Sequence, residues 1–147
     1  MTEQRPGVLR IERAFDASIE RVFEAWTSEE VLRRWLYGMP GWETPIAEVD
    51  LRVGGTIRIV MRDPADGDEA GATGEYRVVE PPHRLVFTWV WDDRPEEQQL
   101  IELEFSEQDG RTTVQMTNSS IPTEERRESQ ERGWNVCYDN LERVLAA

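Results

Sequence analysis

The chain has 147 residues, enough for one domain with a substantial core, and its 30 acidic against 17 basic residues leave a formal net charge of −13. That balance argues against nucleic acid and anionic membrane surfaces as partners, because both need clustered positive charge. The lone cysteine, Cys137, excludes an intramolecular disulfide, no apolar run is long enough to insert in a membrane, and the first residues lack a signal-peptide core, so a cytoplasmic protein is expected.

Val8 to Phe15 alternates apolar and polar side chains, which predicts a strand. Asp16 and Ser18 can each cap a helix start, and Ile19, Val22, Phe23 and Trp26 follow at helical spacing. Thr27 to Glu30 (TSEE) has the form of a capping box, with Thr27 as cap, opening a second short helix that carries Val31, Leu32 and Trp35. Tyr37 to Pro45 (YGMPGWETP) is predicted as a loop from its glycines and prolines. It holds Met39 and Trp42, large apolar residues that belong to no periodic element and therefore suit either the core or a pocket rim.

From Ile46 the pattern is strand and turn. Strands are expected over Ile46–Leu51, Thr56–Arg62, Gly74–Glu80, Leu85–Trp91, Gln98–Phe105 and Thr112–Asn118. Val53-Gly54-Gly55, the polar run Asp63–Gly74, Pro81–Arg84 and Asp109-Gly110 supply the turns. Leu85, Phe87, Trp89 and Trp91 share one face of their strand, opposite Val86, Thr88 and Val90, so both faces call for cover. From Asp92 to Asp109 there are eight acids and one base, Arg94, which reads as a solvated face. Thr123 to Ala147 is a long helix whose apolar stripe (Trp134, Cys137, Tyr138, Leu141, Val144, Leu145) occupies only its C-terminal half. Before Trp134 it has no large apolar residue.

The order strand, two short helices, six strands, long helix predicts one α+β domain over residues 1–147. Short connections favour an antiparallel meander, and one striped helix covers only one face, so the sheet must curve around it. Several stretches resemble the family related to the C-terminal domain of the activator of Hsp90 ATPase, in the START/Bet v 1-like (SRPBCC) superfamily. They are RAFDAS at 13–18, RVFEAWTSEEVLRRW at 21–35, DLRVGG at 50–55, GEYRVVEPPHRLVFTW at 74–89, and the Gly133-Trp134 pair. The resemblance implies a helix-grip fold: a curved antiparallel sheet around a long C-terminal helix, with two short helices after the first strand. It also implies the superfamily's range of roles: binders of apolar molecules, polyketide cyclases and co-chaperone domains. The sequence has no counterpart of the N-terminal domain of the eukaryotic co-chaperone, so stimulation of an Hsp90 ATPase is not expected.

The residues offer little chemistry. The only histidine, His83, lies in the Pro-Pro turn, and Cys137 sits on the helix stripe, so no histidine–cysteine metal cluster forms. The acids of the 63–74 run lack calcium-loop spacing, and Gly54-Gly55 does not open a helix as a phosphate loop would. No metal or cofactor is expected. An enzyme would need a polar group inside the cavity, for which Tyr76, Tyr138 and Glu48 are the candidates, but nothing compels catalysis. The favoured reading is a carrier of a small apolar or amphipathic molecule between sheet and long helix. Its expected cavity lining is Trp35, Trp42, Ile57, Ile59, Met61, Tyr76, Phe87, Trp89, Trp134 and Tyr138. A cyclase- or hydrolase-like enzyme using the same cavity, and a module binding a chaperone or other protein, are the alternatives. Either a monomer or a homodimer is compatible.

Overall fold

Two serines set where the first helices begin. In the computed structural model, which describes residues 7–146, strand β1 (Leu9–Phe15) leads through Ser18 into α1 (Ile19–Thr27), and Ser28 then caps α2 (Glu29–Trp35). Each serine hydroxyl accepts from a backbone N–H in the first turn, Ser18 from Arg21 and Ser28 from Val31, both at 3.3 Å. Thr27, expected as the cap of α2, is instead the last residue of α1, where its hydroxyl donates to the Phe23 carbonyl at 3.0 Å. The reach of Thr27 stops inside its own helix, and the smaller Ser28 takes the extended cap conformation.

The remaining elements are β2 (Glu43–Val49), β3 (Thr56–Arg62), β4 (Glu69–Glu80), β5 (Arg84–Trp91), β6 (Gln99–Gln108), β7 (Arg111–Ser119) and α3 (Glu124–Ala146). Ala147, the last residue of the expected helix, lies outside the described residues. The seven strands form one antiparallel sheet in the order β1-β7-β6-β5-β4-β3-β2. It curls around α3, the helix-grip arrangement. Register shifts in β2 between Glu43 and Ile46, and in β4 between Tyr76 and Val78, add local twist to that curl.

Two strands begin several residues earlier than expected. β4 starts at Glu69, because Glu69–Thr73, which reads as loop from its glycine and acids, pairs residue for residue with β3 from Arg62 back to Arg58. β2 starts at Glu43, and Pro45 is tolerated there because β2 lies at the sheet edge. That edge is covered by α2: Glu29 Oε2 accepts from Val49 N at 2.8 Å and Arg33 donates to the Ala47 carbonyl at 3.4 Å.

The core is aromatic, and Trp26 is its centre. Its ring lies 4.8 Å from Trp35, edge to face, 5.9 Å from Trp134, 6.2 Å from Tyr138 and 6.4 Å from Phe87. Each such buried side chain stabilises the fold by roughly 1.5–3 kcal/mol. On β1 the inward Arg13 places its guanidinium 5.8 Å from the Tyr138 ring centre and 3.0 Å from Asp139, tying the first strand to the last helix. Where β4 meets β5, a Cβ on Gly74 would lie 2.0 Å from the Thr88 carbonyl oxygen. Gly74→Ala must therefore push two strand backbones apart. Urea denaturation is expected to show a loss of about 1–3 kcal/mol, against an unchanged midpoint if the backbones can yield.

Candidate functional site between the sheet and the last helix

The N-terminal half of α3 has no large apolar side chain with which to fill the space over the sheet, so polar contacts hold it there. Arg126 forms an ion pair with Glu97 on the β5–β6 loop. One turn on, Gln130 enters a cluster of amides with Gln99 of β6 and Asn118 of β7, which are 1% and 0% exposed. The Trp134 indole N–H donates to Asn118 Oδ1 at 3.3 Å. Asn118 Nδ2 donates to Gln99 Oε1 at 3.0 Å. Gln130 Nε2 donates to Asn118 Oδ1 at 2.8 Å and to Gln99 Oε1 at 3.0 Å, and Gln99 Nε2 donates to Gln130 Oε1 at 3.0 Å. An indole can only donate, so it settles the orientation of Asn118, and the other amides follow.

Beside this cluster lies an apolar cavity of about 200 Å³. Leu36, Gly38 and Met39 form one wall, Ile59, Met61 and Ala70 a second, and Trp89 and Trp91 a third. The roof is α3, from Ser129 and Gln130 through Gly133 and Trp134 to Cys137. The Leu36–Met39 wall is anchored from both sides. Asn140 of α3 donates to the carbonyls of Trp35 and Tyr37, each at 3.2 Å, and Thr44 donates to the Leu36 carbonyl at 2.8 Å. Gly38 also crosses α3 at Gly133, where a Cβ on Gly38 would lie 3.2 Å from the Gly133 Cα.

The cavity adjoins a larger and more polar recess of about 480 Å³, sharing Ala70, Trp91, Ser129 and Gln130 with it. Arg58, Arg94 and Arg126 line this recess with Glu69, Asp92 and Asp93. Arg58 grips Asp92 with two hydrogen bonds of 2.7 and 2.8 Å, and its guanidinium holds the Asp92 carboxyl below the usual carboxylate range. Arg126 does the same to Glu97.

Of the ten residues expected to line the cavity, Ile59, Met61, Trp89 and Trp134 do so. The other six do not. Trp35, Ile57, Tyr76, Phe87 and Tyr138 are almost completely buried in the packed core, and Trp42 packs against its outside. For three of them the physical reason is Trp26, since Trp35, Phe87 and Tyr138 all lie against its ring; Tyr76 packs edge to face on Phe87 behind them. Trp35 is further fixed by donating its indole N–H to the Ala25 carbonyl at 2.9 Å. Leu36, Gly38, Met39, Ala70, Trp91, Ser129, Gln130, Gly133 and Cys137 complete the wall without having been singled out as lining. Gly133 and Met39 carried signals in the sequence, as a glycine inside a helix and a large apolar residue in a loop. Ser129 and Gln130 carried none, because polar residues early in a long helix look solvated.

None of the three residues considered for acid–base chemistry lines the cavity or the recess. Glu48 is exposed on β2 opposite Arg58. Tyr138 donates its hydroxyl to Met116 Sδ at 3.4 Å, and the buried Tyr76 hydroxyl has no partner among the described residues. Burial raises both phenols, and burial also pushes the Cys137 thiol up, so that thiol is held neutral rather than activated. Among the described residues no three potential ligating side chains cluster in a way that could hold a metal, and no helix is long and apolar enough to cross a membrane.

The amide cluster yields a direct test. Asn118→Leu removes a buried amide but strands the Trp134 N–H and one hydrogen of Gln130. A loss of about 1–3 kcal/mol is expected in chemical denaturation. An unchanged stability would mean that the cluster does not hold α3.

The fold is shared widely. A Rhodobacter sphaeroides protein of known structure is 29% identical, with 95% of this chain and 93% of that one aligned at a TM-score of 0.82. An AHSA1-like protein from Aeromonas hydrophila is 28% identical over 92% of this chain and 90% of its own, with a TM-score of 0.75. A Chromobacterium violaceum protein aligns over 97% of this chain and 99% of its own at a TM-score of 0.88, and at 23% identity that likeness concerns the fold alone. No curated protein matches the chain. The model of the family described as activator of Hsp90 ATPase homolog 1-like protein matches residues 16–146, and the chain belongs to that family.

Proposed function

We propose that this protein binds a small apolar or amphipathic molecule in the cleft between its sheet and α3. The observation that carries this reading is Gly133. A glycine inside a helix costs about 0.5–1 kcal/mol relative to alanine. Neither a left-handed backbone nor close packing explains it here, since a Cβ on Gly133 would have its nearest neighbours at 3.8 Å, an ordinary contact. What the missing side chain preserves is open volume in the cavity roof. The remaining wall is apolar and rich in indole and sulfur, surfaces that favour an apolar or aromatic body. The inner chamber alone is smaller than the roughly 300–1,000 Å³ typical of small-molecule sites, whereas chamber and recess together fall inside that range. This size suits a ligand with an apolar body inside and a polar end outside.

Two outcomes follow. Native mass spectrometry of the purified protein should show a stoichiometric small molecule that departs on denaturation. A clean mass, together with no tryptophan-fluorescence response to a neutral two-ring alcohol such as naphthylmethanol, would contradict the reading. Gly133→Ala should raise stability by about 0.5–1 kcal/mol while weakening binding of the same alcohol. A variant that is more stable and binds equally well would remove the argument from Gly133.

A further inference from the structure

At the junction of chamber and recess Ser129 brings a hydroxyl and Gln130 an amide, and the capacity left unused on that amide is one-sided. Gln130 lines both spaces, and both hydrogens of its amide are already committed, to Gln99 Oε1 at 3.0 Å and to Asn118 Oδ1 at 2.8 Å. Its own Oε1 accepts one bond, from Gln99 Nε2 at 3.0 Å, and keeps a second lone pair. The indole of Trp134 holds this orientation, so Gln130 can offer a ligand an acceptor but not a donor.

The recess lining holds three arginines and three acids, which differ in how far they are already engaged. Arg58 is engaged by Asp92, Arg126 by Glu97, and Arg94 lies 4.0 Å from Asp93. Glu69, which also lines the recess, forms no ion pair among the described residues. An arriving carboxylate would have to displace an acid from Arg58 or Arg126, or rely on Arg94 alone, within a chain of net charge −13. An arriving ammonium would meet an uncommitted carboxylate, a free amide lone pair and the indole of Trp91, which walls both spaces and whose π face attracts cations.

Resting on the reading of the cleft as a small-molecule site, we infer that its ligand is an organic amine with an apolar, aromatic-sized body. The body occupies the inner chamber, and the protonated amine lies in the recess, served by Glu69, Gln130 and Trp91. An apolar cavity of about 150 Å³ accepts benzene. A chamber of about 200 Å³ that opens outward suits one or two fused rings.

Three probes of one shape test this on the intact chain: naphthylmethylamine, naphthylmethanol and naphthoate, titrated by tryptophan fluorescence at low and high salt. The amine is expected to bind about three- to tenfold more tightly than the alcohol, and naphthoate most weakly. The amine's advantage, taken as the ratio of the two affinities, should shrink with salt and fall to near unity in Glu69→Gln. Naphthoate binding as tightly as the amine would overturn the inference, as would an advantage that survives Glu69→Gln. Equal binding of amine and alcohol would overturn the charge preference and leave the cavity reading standing. No response to any of the three would overturn the cavity reading itself, and the amine inference with it.

Discussion

The N–H of one indole orients the polar machinery above the sheet. Trp134 is the first large apolar residue of α3, and everything before it in that helix is polar or small. A helix of that composition cannot be drawn onto a sheet by apolar burial along its whole length. Its C-terminal half is, through Trp134, Cys137, Tyr138, Leu141 and Leu145. Its N-terminal half is held by Gln130 in the amide cluster and by Arg126 on Glu97. Hydrogen bonds and ion pairs fix position but do not fill volume. The cavity is thus a consequence of the helix's composition: contact where the stripe exists, and space where polar groups hold the helix in place.

The sheet contributes the other half of that constraint. Its curl brings the β5 face of Phe87, Trp89 and Trp91 under the helix, with the Trp89 ring 6.1 Å from Trp134 and 5.6 Å from Trp91. Phe87, further from the open end, is closed off by Trp26 and Tyr76. One strand face therefore passes from packed core to cavity wall within a few residues. The Leu36–Met39 segment closes the remaining side because Asn140 and Thr44 hold its carbonyls and because Gly38 can approach Gly133.

Much of this fold was legible in the residues. Period-two alternation marked the strands and the stripe marked the long helix, while β5 is apolar and buried on both faces, so alternation alone does not say which of them turns to the helix. The errors have local causes. Glu69–Thr73 looks like loop because glycine and acids dominate it, yet pairing with β3 overrides that preference. Thr27 and Ser28 are both capable caps, and only the path of the chain chooses between them. The site was less legible than the fold. A periodic pattern shows which side chains point inward but not whether the space they face is occupied. Trp35, Phe87 and Tyr138 point inward and meet Trp26, whereas Trp89 and Trp134 point inward and also border a void. Gln130 could not be recognised, because its role depends on Gln99 and Asn118, which are far away in sequence.

The proposed ligand space lies under the N-terminal half of α3 and not in the aromatic core around Trp26. The six tryptophans report on it directly, since each indole N–H gives its own signal in a proton–nitrogen correlation spectrum. With signals assigned by single Trp→Phe variants and naphthylmethanol as probe, Trp89, Trp91 and Trp134 should shift strongly, while Trp26 and Trp35 stay nearly in place. Shifts concentrated at Trp26 and Trp35, or at Trp42 on the outside of the core, would place the ligand elsewhere and contradict a site under α3.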